Sequence, residues 1–437
     1  MKKILLALLA LGVPASASAQ WFYDIRPLLD LQTGKFQSIV RPYRDRGERF
    51  QSARVSALQM TVAIEDENNQ LTFENWADNR ADMKRDASTL KAEAGLTSGK
   101  SYTGAVKNDD SGRRFGAYAR VGAFELEGLS IAQKSETPGG DDEYKKTSAG
   151  AGFSFGGDGL AFGAHANLNK SEDADAEMET SNNSLGGGLM LRTDLYELGA
   201  TLDYVSHGVE MKSVNAELPL KGPSLGVHAL LKPFKGLTAA VRGSFAKLSG
   251  EADWAGTKFD YEADQKELGA RLEWKFDAIP VTLGLEYSRF LYAPGGTVGA
   301  LTQDTEYDHD LKTAGAALNL FGGRLMLGAE AQLLSTHMEN IQNGALDDED
   351  DQDYRTITGG AELWLLPGFA VRASYQKLVE EGQAGSDDIL NNTMAAGVGF
   401  KGESLCLDAA LRRVTQDEDA VNPNKYNDAR VMLTLKF

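Results

Sequence analysis

The chain has 437 residues, with 45 Lys and Arg against 63 Asp and Glu, a net charge of -18 and a single cysteine, Cys406. This acidity argues against nucleic acid as a partner, because phosphate binding needs clustered Lys and Arg. The lone thiol excludes an intramolecular disulfide framework.

The first element is a leader. Met1-Lys2-Lys3 is a basic head, Ile4 to Val13 is apolar, and Pro14 to Gln20 contains an A-x-A site, so residues 1–19 are expected to be a secretory signal peptide cleaved after Ala19. No Cys follows the site to carry a lipid anchor. Downstream, no apolar run is long enough for a transmembrane helix. The mean hydropathy of -0.33 is still compatible with a membrane barrel, whose strands are apolar on only every second residue.

Residues 20–87 form the second element. Trp21 to Leu31 is aromatic and apolar without alternation, and Arg41, Arg44, Arg46 and Arg49 make a basic patch. This segment is expected either to plug a lumen lined with acidic groups or to sit in the periplasm.

From residue 88 onward the chain repeats one unit, an alternating stretch, a tight turn and a second alternating stretch. Leu90, Ala92, Ala94 and Leu96 open the series. Phe115 to Val121 with Phe124 to Ala132 follow, then hairpins turning at Gly156 to Gly159, Asp194, Lys235-Gly236, Ile279-Pro280, Gly322-Gly323, Pro367-Gly368 and Gly402-Glu403. These are hairpin turn residues. The last strand carries Ala429, Val431, Leu433, Leu435 and Phe437 on one face. A C-terminal aromatic such as Phe437 resembles the signal read by the barrel assembly machinery. Residues 88–437 therefore predict an all-β, transmembrane, antiparallel up-and-down barrel of about 18 strands, with 16 as the fallback.

Aromatics near the short turns, including Phe155, Phe276, Phe321, Phe369 and Phe400, suggest an interfacial girdle. The stretches Lys170 to Thr180, Pro294 to Asp308, Met338 to Asp353, Val379 to Ile389 and Gln416 to Tyr426 read as long outward loops opposite short periplasmic turns. Their acidic residues, densest from Asp347 to Asp353, offer oxygen ligands to divalent cations, although a solvated charge run is the better reading. On the other face of the strands, Arg242, Arg271, Glu273, Lys275, Glu286, Glu330, Glu362, Arg372, Asp408 and Arg412, with Arg430 and Lys436, are candidate lumen-facing groups. They can line a wet path or pair across strands, and pairing is the favoured role.

No catalytic or metal-binding pattern appears. The histidines His165, His207, His228, His309 and His337 lack metal-ligand spacing, and there is no G-x-S-x-G elbow. Gly397 to Gly402 matches G-x-G-x-x-G but precedes a strand rather than a helix. The chain is expected to be no enzyme and to use no cofactor.

Two segments resemble the FadL-type outer-membrane transporters of long-chain fatty acids and other hydrophobic compounds. Between Ser52 and Asn79, Ala53-Arg54, Ala63, Glu65-Asp66 and Asn75-Trp76-Ala77 follow the family's opening pattern, with Gln59-Met60 where the family has Gly-Gly. Met394 to Val414 is similar to its closing hairpin. The resemblance covers about a tenth of the chain. It implies a barrel whose N-terminal segment is a hatch and whose cargo is hydrophobic.

The leading expectation is passive transport of small solutes, hydrophobic ones among the candidates, across a bacterial outer membrane. The alternatives are a general or charge-selective diffusion porin, and a non-conducting barrel whose acidic loops bind cations, lipopolysaccharide or partners. The expected surroundings are outer-membrane lipid and the assembly machinery.

Overall fold

The computed structural model describes residues 89–436 apart from 104–105, 122–123, 138–139, 157–159, 175–176, 277, 299–300, 344, 381–388, 403 and 418–423. The expected leader, the segment 20–87 and Phe437 lie outside the described residues.

Eighteen strands are described: β1 Thr89–Thr103, β2 Val106–Val121, β3 Phe124–Thr137, β4 Gly140–Gly156, β5 Leu160–Asp173, β6 Met178–Arg192, β7 Tyr196–Met211, β8 Ala216–Phe234, β9 Leu237–Trp254, β10 Thr257–Lys275, β11 Val281–Val298, β12 Leu301–Leu320, β13 Leu325–Gln342, β14 Ala345–Leu366, β15 Phe369–Glu380, β16 Ile389–Lys401, β17 Leu405–Asp417 and β18 Asn424–Lys436. Each pairs antiparallel with the next. β1 pairs with both β2 and β18, from Thr89↔Lys436 to Lys100↔Lys425, which closes the sheet into a barrel.

Alternation along each strand sorts side chains into two faces, and the cross-strand registers keep one face continuous around the wall. Leu202, Ile357 and Leu411 on the outer face are 64%, 63% and 66% exposed, whereas Ala240, Ala263 and Ala370 on the inner face are 5%, 0% and 0% exposed. Large uncovered apolar side chains on every side are foreign to a water-soluble surface and are what lipid requires. The apolar belt on β9 runs from Leu237 to Phe245. Such a run rises roughly 30 Å along the strand and about 23 Å along the axis at the usual tilt, close to the apolar band of membrane barrels. Near the short turns, Phe124, Trp274, Phe321 and Phe400 are exposed at the belt edge. Trp274 and Phe276 stack with ring centroids 4.7 Å apart.

The strands are longer than the alternation suggested, up to 22 residues in β14, whereas about 9–11 suffice to span. Most of what reads as outward loop is paired strand. Pro294 lies in β11, Leu301 to Asp308 in β12, Met338 to Gln342 in β13, and the acidic run Asp347 to Asp353 in β14. Beyond lipid a strand needs no apolar outer face, so polar residues continue the backbone ladder, and the connection shrinks. Ala255 and Gly256, both at positive φ (52° and 85°), close β9 and β10 in a two-residue turn, as type I′ hairpins require. The asymmetry of the barrel therefore lies in strand overhang at one end, called here the far end, opposite the turn end.

Candidate functional site on the inner wall

The inner wall has two tiers. The tier level with the lipid belt is polar. Glu362 and Arg372 face each other on β14 and β15, with their side chains 1% and 2% exposed. Arg372 donates from Nε to Glu362 Oε2 at 2.5 Å, and Trp364 donates from Nε1 to Glu362 Oε1 at 2.7 Å. Burying these two charges is costly, and direct pairing with a further donor offsets that cost. Arg271 and Glu273 pair at 2.6 Å on β10. The hydroxyl of Ser244 donates to Glu267 at 3.4 Å. Ser224, Ser288, Thr313, Gln332, Thr356 and Thr358 are buried on the same face, supplying neutral donors and acceptors.

The far-end tier is apolar and aromatic. Val205, Val209, Leu218, Leu220, Leu248, Phe259 and Tyr261 form one buried cluster, against which Tyr292 packs. Next to it, Phe290 and His309 stack with centroids 6.1 Å apart and planes 9° apart, and Tyr292 and Tyr307 stack at 6.1 Å and 26°. The hydroxyls of Tyr261 and Tyr307 and Nδ1 of His309 are buried without a hydrogen-bond partner. Burial pushes the Tyr307 hydroxyl up to about 12 and the His309 imidazole down to about 4, so both are neutral groups at physiological pH.

This tier depends on a corner in the wall. β8 and β10 come close together although β9 lies between them. A Cβ on Gly222 would stand 1.9 Å from the Lys247 carbonyl oxygen, and one on Gly250 would stand 1.7 Å from that of Pro219. Only glycine admits backbones this close.

A third group lies on the outer wall of the far-end overhang. His337 Nδ1 is 2.6 Å from Asp351, its Nε2 is 3.0 Å from Glu339, and Glu349 stands 4.0 Å away. These residues include a geometry able to hold a metal ion. The hydrogen bonds to Glu339 and Asp351 raise the imidazole pKa to about 9.

No family model matches the chain, and no curated protein matches it. Solved structures that it resembles include Pseudomonas aeruginosa OccK3 (OpdO), at 12% identity and TM-score 0.42, with 82% of this chain and 97% of that one covered. The Pseudomonas aeruginosa outer membrane protein opdK matches at 10% and 0.39, covering 80% and 99%. Pseudomonas aeruginosa OccK2 (OpdF), solved in complex with glucuronate, matches at 12% and 0.39, covering 81% and 99%.

Of the lumen candidates, the structure brings Glu362 to Arg372 and Arg271 to Glu273, while Lys275 is exposed at the turn end of β10. Arg242, Glu286, Glu330, Asp408 and Arg412 occupy backbone positions of the inner-face register. The aromatic tier was not anticipated, yet it leaves a signal in the sequence. In β10, the even positions Leu268 to Trp274 are apolar, then the odd positions Phe259, Tyr261 and Ala263 take over. The apolar residues change faces while the pairing runs on without a slip.

Proposed function

We propose that this chain is a passive channel of a bacterial outer membrane that carries small solutes, including those with an apolar or aromatic face. The observation that carries the reading is a closed wall of eighteen described strands, apolar outside and polar within at the level of the belt. Barrels of 16–18 strands are wide enough to enclose an aqueous passage. In this reading the overhanging far end points outward and the short turns face the periplasm. A solute meets the aromatic tier first and then crosses the polar tier. The segment 20–87 is assigned as the plug, consistent with the hatch that the FadL-type resemblance implies. Its arginines at 41, 44, 46 and 49 complement acidic inner groups such as Glu267.

Single-channel conductance of the refolded full-length protein, beside a variant lacking residues 21–85, tests both parts. The full-length protein is expected to conduct weakly and the deletion variant to show a large rise. Silence in both would refute the channel, and equal open steps in both would refute the plug.

A further inference from the structure

The outer wall carries a feature that a uniform lipid-facing belt does not need. Across β9 to β14 the registers align two neighbouring rows of outward positions. The row on the turn-end side is Ala239, Leu272, Leu285, Ala314, Ala331 and Ile357. The row above it holds Lys312 and Arg355 on either side of Leu333, with Tyr287 next to Lys312. Together they line a shallow groove of about 840 Å³. The alanines leave room between bulkier edges, so the floor is apolar and open, and two cations stand over one rim.

The position of those cations matters. Lys312 and Arg355 are the first charged outward residues of their strands beyond the belt, following Ala314 and Ile357. Their backbones are two strands apart, roughly 10 Å, so the Lys312 ammonium and the guanidinium donors that Arg355 has beyond the interaction it already makes can converge on one anion. The carboxylates nearest the rim on β12 are already engaged. Tyr287 donates to Asp310 at 2.8 Å, and Arg289 pairs with Asp308 at 2.5 Å. Lys312 makes no ion pair among the described residues. An apolar trough below the boundary of the belt and a pair of cations at that boundary match an acylated lipid bearing phosphate on its headgroup. Hydrocarbon fills the trough, and the phosphate takes charge-assisted hydrogen bonds from the rim.

We propose that this groove is a binding site for a phosphorylated, acylated lipid of the surrounding leaflet. The site is independent of whether the lumen conducts. Native mass spectrometry of the refolded full-length protein in detergent, titrated with bisphosphorylated lipid A and with the same lipid dephosphorylated, tests it. The expected result is one tightly held phosphorylated lipid and binding of the dephosphorylated form about tenfold weaker. Lys312→Gln with Arg355→Gln should abolish the difference between the two lipids. Ala331→Phe, which fills the trough and leaves both cations, should weaken the phosphorylated lipid as well. Folding of each variant is checked by its heat-modifiable gel mobility, and Lys312→Arg with Arg355→Lys should restore binding. Unchanged retention in the charge-removed variant would overturn the proposal, as would displacement of the lipid by inorganic phosphate at equal concentration. Disulfide trapping between copies through Ala314→Cys, in a Cys406→Ser background, would overturn it too, since it would show a second copy seated there.

Discussion

At the scale of single residues, the inner wall shows how a barrel keeps charge inside. Glu362 and Arg372 are each almost fully covered, so removing either one takes from the other its opposite charge inside the wall. Glu362→Gln or Arg372→Met alone should cost ~3–5 kcal/mol, and the double change clearly less than the sum, as read by urea unfolding in micelles. His337 sets a second expectation. Its folded pKa, about 9, lies above the unfolded value, so the stabilisation from its carboxylate partners is complete below about pH 6.5. It is lost as pH rises through 9. The ring is about one-third exposed, which keeps the effect modest. Proteolysis of the β13–β14 hairpin should quicken between pH 7 and 10 in the wild type, and His337→Gln should remove that dependence. Both charged groups at 362 and 372 could be assigned to a face from alternation alone. That they meet follows from the register of β14 on β15, which no period-2 pattern specifies.

At the scale of elements, the change of face along one strand is the organising feature. In β11, outward Leu283 and Leu285 belong to the belt, while Phe290 and Tyr292 point inward beyond it. Leu285→Arg should cost about 2–4 kcal/mol, as charges do in the middle of a lipid-facing wall. Leu291→Arg, outward but past the belt, should change stability by less than about 0.5 kcal/mol, both measured by equilibrium refolding into vesicles. The corner at β9 predicts that Gly222→Ala or Gly250→Ala costs about 1–3 kcal/mol through overpacking and loosens the aromatic tier, visible as quenching of tyrosine fluorescence by an aqueous quencher. Alternation made the belt strands and most turns legible, because lipid demands an uninterrupted apolar face there. It made the overhangs look like loops. Asp347 to Asp353 has no apolar face to show, so its pairing with β13 rests on backbone hydrogen bonds that composition does not report. Phe259 and Tyr261 were legible in principle, as a reversal of phase rather than a loss of pattern.

At the scale of the whole molecule, two surfaces divide the work. The inner wall grades from aromatic at the far end to polar at the level of the belt, and the outer wall grades from apolar to charged along the membrane normal. If the aromatic tier holds solutes, Phe290→Ala together with Tyr307→Phe should lower the residence time of an aromatic blocker in single-channel records several-fold while leaving ion conductance nearly unchanged. Equal residence in the variant would show that the tier is only packing.

Closure by the pairing of Thr89 with Lys436 has a consequence in time. The first and last described strands are neighbours in space and nearly the whole described chain apart in sequence, so neither has its final partner until the chain has been made and exported as far as β18. A growing chain carries two raw sheet edges with a greasy face, a hazard that only a late, concerted zippering can end. Such a chain gains little from partial success. Truncation before Asn424 would leave both edges open and send the product toward clumping and degradation rather than toward a smaller pore.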